Sequence, residues 1–252
     1  MKKSLVVFPF VCCLFFMLFG YGFNRHAEKK MDSPANKGFA VVELFTSEGC
    51  SSCPPADEAV AALAKEYPAN VYVLGFHVDY WNYLGWTDEF SSGTNTSRQQ
   101  RYAEVLKINS IYTPQAIVNG AIEFTGSDKK RLYAAVKNGL EKNENTMIEV
   151  SAKSTGGKTI TVQYKTGTDS KNVLQLAIVQ SVATSAIKRG ENKGMLLHHV
   201  NVVRAFKTVD ANGGTASMVL PEGLAPGDCR LIAYLQNKTD LHISGANVCN
   251  IR

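Results

Sequence analysis

The hydrophobic positions in the first half of the chain change period in a regular order. Residues 39–46 and 71–78 are nearly continuous apolar runs rich in β-branched and aromatic side chains, which predicts two buried strands. Between them, apolar side chains recur three and four positions apart, which predicts a helix from about Pro54 to Tyr67. The residues on its apolar face are Val60, Leu63, Ala64 and Tyr67.

The next segment combines a helix with a hairpin. Residues 97–107 have a helical spacing of apolar side chains. Residues 115–118 and 121–124 flank Asn119-Gly120, a pair that suits a tight hairpin turn because both of its positions need a positive φ.

A third helix is predicted from a cap at Ser127 to about Asn143. The order is then strand, helix, strand, helix, strand, strand, helix, which is the order of the thioredoxin fold. A right-handed crossover and a terminal hairpin assemble these elements into a mixed sheet flanked by helices. We therefore expect an α/β thioredoxin-like domain over residues 39–145.

Beyond Thr146 the pattern changes to short apolar-rich runs separated by glycine-rich turn clusters. This spacing is typical of an antiparallel sandwich. We therefore expect an all-β, sandwich-like domain over residues 146–252. The seven runs are 147–152, 159–164, 173–181, 196–206, 216–220, 230–236 and 243–249.

The N-terminus has the pattern of a secretory leader. Lys2-Lys3 precede an uncharged stretch over 4–24, most of it apolar. We predict a signal peptide or membrane anchor over 1–23 and a polar linker over 24–38. A cleaved leader would give a periplasmic or secreted protein, and an uncleaved one would tether the protein to a membrane.

The basic charge of the chain comes partly from this leader. Removing residues 1–27 deletes Lys2, Lys3 and Arg25 and no acidic residue, so the formal charge falls from +5 to +2. The remaining charge gives no support to nucleic-acid binding.

Cys50 and Cys53 form a C-x-x-C pair between the first predicted strand and the first predicted helix. In that position both thiols lie at a helix N-terminus, where the free N–H groups and the dipole stabilise a thiolate. The spacing also lets the two sulfurs bond without moving the backbone. The pair therefore indicates a reversible dithiol–disulfide.

Two other interpretations of the pair remain open. A zinc site would need two more Cys or His ligands at similar spacing, and the remaining cysteines make no second C-x-x-C. A purely structural disulfide at the helix start is the second. We predict no metal and no cofactor.

Cys229 and Cys249 are predicted to form a structural disulfide. If 230–236 and 242–248 pair in a hairpin centred on Thr239, the two cysteines face each other at the strand ends. Such a bond would close a loop of about 20 residues and contribute roughly 3 kcal/mol in the chain-entropy model.

The C-x-x-C pair and Tyr112-Thr113-Pro114-Gln115 together resemble the active site of the thioredoxin superfamily. In that superfamily a cis proline lies opposite the cysteines, so the resemblance implies that Thr113 and Pro114 orient a substrate peptide. The alternative is a trans proline that opens an edge strand.

The same resemblance implies roles for three further side chains. Cys50 would be the exposed nucleophile and Cys53 the resolving thiol. Glu43 would be a buried carboxylate that accepts the proton of Cys53, or else an ordinary strand glutamate. No Lys, Arg or His occurs between Lys37 and Lys65, so in sequence only the helix terminus lowers the thiol pKa.

A closer resemblance rests on four strings in the same order. The chain resembles a family of secreted, thioredoxin-like bacterial proteins known only as a domain of unknown function, over about residues 39–252. The resemblance implies export and a thioredoxin-like fold, and it brings no substrate. The strings are FTSEGCSSCPPAD, HVDYWNYLGW, YTPQAIVNG and RGENKG…HHVNVVR.

The loop over 79–96 is long enough to suggest a function. Trp81, with Tyr83 and Trp86, is predicted to floor a peptide-binding groove, or alternatively to pack the loop against the core. His77 and Asp79 share a strand face and are predicted to pair.

The segment HHVNVVR, residues 198–204, lies in the predicted sandwich-like domain. His198, His199 and Arg204 are expected at its surface.

Two functional hypotheses follow. The first is an extracytoplasmic thiol–disulfide oxidoreductase that acts through Cys50 and Cys53 on protein or peptide substrates and is recycled by an unknown redox partner. The second is a non-catalytic binding module of the cell envelope in which the C-x-x-C is a structural disulfide.

Overall fold

The computed structural model describes residues 38–142, 144–167 and 170–252. The predicted leader over 1–23, and the predicted linker except for Gly38, lie outside the described residues. Within the described ranges, none of the helices has both the length and the apolar content needed to cross a bilayer.

The elements of the first half follow the predicted order. In sequence they are β1 (Ala40–Thr46), α1 (Pro54–Glu66), β2 (Val71–His77), α2 (Gly93–Leu106), β3 (Gln115–Val118), β4 (Ile122–Thr125) and α3 (Lys129–Glu141). The predicted tight turn is confirmed, because Asn119 and Gly120 have φ values of 49° and 70°.

The seven runs of the second half are all strands. They are β5 (Ile148–Ser154), β6 (Thr159–Thr166), β7 (Asn172–Ala186), β8 (Leu196–Asp210), β9 (Gly214–Val219), β10 (Cys229–Asn237) and β11 (Ile243–Asn250). β7 and β8 are the long strands of one hairpin, with 15 residues each.

Two helices begin at positions other than those predicted, and side-chain caps explain both. The Ser92 hydroxyl accepts a hydrogen bond from the Asn95 N–H at 3.2 Å, so α2 starts four residues before the apolar spacing becomes visible. Asp128, not Ser127, caps α3, since its Oδ1 accepts from the Arg131 N–H at 3.0 Å.

Strands from both halves of the chain form one mixed sheet of eight strands in the order β11-β10-β7-β8-β2-β1-β3-β4. β1 pairs with β2 in parallel and with β3 antiparallel. The two halves meet where β2 pairs with β8 in parallel at Gly75 and Val202. The predicted boundary at 145/146 therefore does not separate two independent sheets.

One face of this sheet carries a continuous core that spans both halves, and α2 packs on it. Side chains from alternate positions of β1, β2, β7 and β10 point to this face. Its members include Phe45, Phe76, Tyr102, Ala177, Val203 and Tyr234.

The opposite face carries two separate cores. α1 and α3 cover the first, which includes Val42, Leu44, Val60, Leu63, Leu132 and Val136. A three-stranded sheet in the order β5-β6-β9 covers the second, which includes Ile148, Ile160, Leu176, Ile178, Met218 and Leu231. The C-x-x-C lies on the side of α1, where β1 ends.

The predicted disulfide between Cys229 and Cys249 is wrong, because both cysteines are free. The β10–β11 register places Leu231, not Cys229, opposite Cys249, and a bulge after Leu235 contributes to that shift. The two cysteines are then diagonal neighbours, which in an antiparallel pair puts their Cα atoms about 7–8 Å apart. That separation exceeds the usual range for a disulfide.

Candidate active site

Cys50 and Cys53 are bonded to each other at the N-terminus of α1. After β1 the chain turns so that the Cys50 N–H donates to the Ser47 carbonyl at 3.1 Å and the Cys53 N–H donates to the Cys50 carbonyl at 3.2 Å. The two Cα atoms are 5.5 Å apart, a normal separation for a disulfide. Cys53 is the N-cap of α1, so the helix dipole favours a thiolate here after reduction.

Neither cysteine has solvent-exposed surface, although Ser51 and Ser52 between them are exposed. The predicted exposure of Cys50 is therefore wrong for this conformation. The Ser52 hydroxyl lies 3.3 Å from the Cys50 sulfur, a position from which it can donate to a Cys50 thiolate.

Three ionisable side chains from distant parts of the chain meet next to the C-x-x-C. Glu48 precedes Cys50 by two residues, and Asp57 lies one helical turn after Cys53, where a helical side chain leans back toward the N-terminus. His199 comes from β8. Its Nε2 lies 3.5 Å from Glu48 Oε1, and its Nδ1 lies 3.4 Å from Asp57 Oδ2.

His199 lies buried between these two carboxylates. Only 2% of the residue is exposed. Burial by itself favours the neutral ring, but the contacts with Asp57 and then Glu48 outweigh it and raise the pKa of His199 to about 9. Both distances are long for hydrogen bonds, so the attraction is mainly between the imidazolium and the carboxylate charges.

A second histidine–carboxylate pair supports the first. His77 Nδ1 lies 2.6 Å from Asp88 Oδ2, and the same oxygen accepts from the Glu48 N–H at 2.9 Å. The His77 and His199 rings contact edge to face, with centroids 4.8 Å apart. Burial raises the pKa of Asp88, but the charge of His77 and the hydrogen bonds of Asp88 outweigh it and lower the pKa.

The predicted pair between His77 and Asp79 is wrong. Asp79 instead accepts a hydrogen bond from the Thr96 hydroxyl at 2.6 Å in the first turn of α2. The partner of His77, Asp88, lies further along the same loop.

The loop between β7 and β8, residues 187–195, lies against the C-x-x-C turn. The Asn192 side-chain amide donates to the Glu48 carbonyl at 2.8 Å and to the Cys50 carbonyl at 3.0 Å. Glu191 Oε2 accepts from the Ser51 N–H at 3.1 Å. We call residues 187–195 the hairpin loop. It contacts the backbone on both sides of Cys50.

The peptide bond between Thr113 and Pro114 is cis, as the thioredoxin resemblance implied. Pro114 is buried and directly precedes β3, which pairs with β1. A Cβ built on Gly126 would lie 3.3 Å from Pro114 Cβ and 3.4 Å from Ala56 Cβ, so Pro114 and the first turn of α1 border the same glycine.

Trp81 and Trp86 both lie close to the C-x-x-C turn. A Cβ built on Gly49 would lie 3.1 Å from Trp81 Cβ, so the close approach of Trp81 favours glycine at 49. Trp81 is half-buried and packs against the core on the α2 face. Trp86 Nε1 donates to Glu48 Oε2 at 2.7 Å.

Glu43 lies on the other face of the sheet, and this position does not fit its predicted role as the acceptor of the Cys53 proton. Its carboxylate accepts from Arg98 at 2.6 and 2.9 Å and from the Tyr102 hydroxyl at 2.7 Å. Strand alternation points Glu43 toward α2, whereas Cys53 begins α1 on the opposite face. An ion-paired carboxylate on the far face does not accept the proton of Cys53.

The sequence predictions missed the side chains that surround the disulfide. Glu48 and Asp57 lie within FTSEGCSSCPPAD, and Glu191, Asn192 and His199 lie within RGENKG…HHVNVVR. The presence of these residues in two of the four resemblance strings was the available signal. Nothing in the sequence indicated that the two strings meet.

The chain is similar to a known family and to a solved structure over most of its length. A family model described as "Protein of unknown function (DUF1223)" matches residues 41–236. The X-ray crystal structure of protein AGR_C_4864 from Agrobacterium tumefaciens is similar, with 30% sequence identity and a TM-score of 0.64. That similarity covers 84% of this chain and 93% of the Agrobacterium chain.

A second similarity is too weak to support an inference. A domain of the outer membrane lipoprotein Omp28 from Porphyromonas gingivalis is 13% identical, with a TM-score of 0.29, over 44% of this chain and 91% of that one. No curated protein matches the chain.

Proposed function

The chain belongs to the DUF1223 family, whose function is unknown, so its activity has to be inferred from its own site, and we propose that it is an extracytoplasmic thiol–disulfide oxidoreductase. Cys50 and Cys53 would exchange disulfides with protein or peptide substrates. The observation that carries the proposal is the Cys50–Cys53 bond at the start of α1, flanked by Glu48 and Asp57, which both contact the buried ring of His199.

His199 supports the proposal because its positive charge offsets the two carboxylates that flank the C-x-x-C, in a segment with no basic residue. A cation near a cysteine lowers the thiol pKa and favours both the attacking and the leaving thiolate. With a pKa of about 9, His199 is protonated at neutral pH. Asp57 and Glu48 hold the ring in place and offset the cost of burying its charge.

The reaction starts from the disulfide form. A substrate thiolate attacks the Cys50 sulfur, the bond between Cys50 and Cys53 breaks, and Cys53 leaves as a thiolate. A second substrate thiolate then attacks the substrate sulfur of the mixed disulfide, which releases the substrate disulfide and the Cys50 thiolate. Two electrons pass from the substrate to the protein, and the reverse sequence reduces a substrate disulfide.

The proposal includes a thioredoxin-like arrangement of the first half of the chain. The order of β1 to α3 and the parallel β1–β2 pair favour it. Thr113, Pro114 and Trp81 are proposed to position the substrate peptide. The redox-recycling partner and a membrane tether through the leader belong to the same proposal.

The test measures insulin reduction and oxidative refolding of a reduced protein. We expect wild type to accelerate at least one of these reactions and Cys50→Ser to accelerate neither. Cys249→Ser is the matched control, because it removes a free cysteine remote from the disulfide, and it should match wild type. Equal rates for wild type and Cys50→Ser would refute the proposal.

The burial of both sulfurs favours a second candidate, a binding module whose disulfide is structural. The reduction potential of the pair separates the two functions. A structural disulfide has a potential below about −300 mV, whereas exchange proteins lie between about −270 and −120 mV.

A further inference from the structure

We infer that the hairpin loop, residues 187–195, is an autoinhibitory lid over the Cys50–Cys53 disulfide, and that opening this loop controls access to it. Only the purpose of the lid, control of substrate access, rests on the proposed function. Whether the loop limits access to the disulfide can be measured without any substrate. The lid is inferred from the contacts that the loop makes with the C-x-x-C turn.

The anchor of the lid is Asn192. Although it belongs to a loop, only 2% of this residue is exposed. Its amide group bridges the carbonyls of Glu48 and Cys50, at 2.8 and 3.0 Å. These two carbonyls lie on either side of Gly49, so a single side chain holds the turn that leads into Cys50.

Glu191 makes a second anchor on the other side of Cys50. Its carboxylate accepts from the Ser51 N–H at 3.1 Å, while the residue itself is exposed. The loop therefore binds both a carbonyl and an N–H of the C-x-x-C backbone. A substrate peptide that approached Cys50 would compete for the same groups, because extended peptides bind through their backbone hydrogen bonds.

The hairpin loop also contacts the loop between β2 and α2, residues 78–92, which carries Trp81, Tyr83 and Trp86 and which we call the aromatic loop. A Cβ built on Gly190 would lie 3.2 Å from Trp86 Cβ and 3.6 Å from the Leu84 carbonyl, and Gly190 has a φ of +75°. The hairpin loop thus bridges from the C-x-x-C turn to the Trp86 segment. Both sulfurs are without exposed surface in this arrangement.

The hairpin loop is closed at its ends by two backbone hydrogen bonds. The Ile187 N–H donates to the Met195 carbonyl at 2.9 Å and the Gly194 N–H donates to the Ile187 carbonyl at 2.8 Å, so opening the lid has to occur within this closed loop. Met195 and Leu196 are exposed, as are Tyr83 and Leu84 on the neighbouring loop. These apolar side chains lie where a protein substrate would contact both the lid and the aromatic loop.

The experiment measures reduction of the disulfide by dithiothreitol, which supplies two thiols and is itself oxidised to a cyclic disulfide. Samples are quenched with iodoacetamide, and mass spectrometry counts the labelled Cys50 and Cys53. Removing the Asn192 hydrogen bonds in Asn192→Ala should make reduction about tenfold faster, since roughly 1.4 kcal/mol in the opening equilibrium changes it tenfold. Glu191→Ala, at an exposed position, should show a smaller increase.

Lys193→Ala is the matched control, because Lys193 is an exposed residue of the same loop and its side chain makes no contact that holds the C-x-x-C turn. It should be reduced at the wild-type rate. Hydrogen exchange of the Ser51 amide gives a second readout, and it should become faster in Glu191→Ala and in Asn192→Ala.

If Asn192→Ala does not fold, Glu191→Ala decides the question. Wild-type rates of reduction and of Ser51 exchange in the folded variants would overturn the lid. Faster reduction in the variants without turnover of any protein disulfide would instead refute the proposed function and leave the lid in place.

Discussion

His199 Nδ1 and Asp57 Oδ2 lie 3.4 Å apart, although Asp57 belongs to α1 in the first half of the chain and His199 to β8 in the second. This contact joins the two halves at the C-x-x-C. It places a buried histidine against the first turn of the helix that Cys53 caps, in a segment whose sequence contains no basic residue. Two of the predictions below depend on this contact.

The first prediction concerns stability and pH. The folded pKa of His199, about 9, lies above the ordinary histidine pKa of 6.5, so the stabilisation that His199 contributes is fully present below pH 6.5 and is lost as pH rises through 9. In urea unfolding of the oxidised protein, wild type should lose up to about 3 kcal/mol of unfolding free energy between pH 6 and pH 10.

The matched variants are His199→Gln and His198→Gln. His199→Gln should be less stable than wild type at pH 6 and should lose much less stability over the same interval. His198 is exposed, so His198→Gln should follow wild type. Parallel pH curves for wild type and His199→Gln would show that His199 is not held as a cation.

The second prediction concerns the reduced protein. Removing the imidazolium leaves the carboxylates of Glu48 and Asp57 unbalanced, and their negative charge disfavours a thiolate at Cys50. Alkylation of Cys50 by iodoacetamide should then be about tenfold slower in His199→Gln than in wild type at pH 6. The difference should disappear at high pH, where the thiol ionises in both proteins.

His198→Gln again provides the comparison and should be alkylated like wild type. An unchanged rate in His199→Gln at pH 6 would mean that the helix terminus alone sets the reactivity of Cys50.

The third prediction concerns the ion pair between Glu43 and Arg98. The guanidinium also lies 4.8–5.8 Å from the centroids of four aromatic rings, those of Phe76, Tyr102, Phe206 and Tyr234. Because breaking a buried pair leaves an uncompensated charge, Glu43→Gln should cost about 3–5 kcal/mol of unfolding free energy. Cys50 alkylation and disulfide exchange should stay at wild-type rates in conditions where the variant is folded.

The surface pair between Arg101 and Glu104 serves as the control, since both side chains are mostly exposed. Glu104→Gln should cost less than about 1 kcal/mol. A stable Glu43→Gln protein with slowed exchange would restore the proton-acceptor role to Glu43.

The fourth prediction concerns the two free cysteines. Burial raises the pKa of both the Cys229 and the Cys249 thiol to about 11, so neither should react with iodoacetamide in the native protein at neutral pH. After denaturation without reductant, both should be labelled, while Cys50 and Cys53 stay linked. A peptide that links Cys229 to Cys249 would contradict the β10–β11 register.

Local patterns of the sequence were sufficient for most individual elements. Nearly continuous or short apolar-rich runs predicted the strands, Asn119-Gly120 predicted the turn, and the C-x-x-C spacing predicted the Cys50–Cys53 disulfide. These features depend on neighbours a few residues apart, so they can be inferred from the chain itself. Helix starts were less accurate, because Ser92 and Asp128 act through single side-chain hydrogen bonds.

The tertiary structure decided how the halves combine and what surrounds the disulfide. The β2–β8 pair and the length of the β7–β8 hairpin bring His199 to Asp57 and Asn192 to Cys50, and no local pattern encodes a contact between residues so far apart. The role of Glu43 depends on the face of the sheet that it occupies, because Arg98 packs on that face and pairs with its carboxylate. A small change of register separates Cys229 from Cys249. The sequence by itself thus determined the strands, the helices and the Cys50–Cys53 pair, whereas the charge beside that pair, the loop over it and the state of the other cysteines depend on long-range packing.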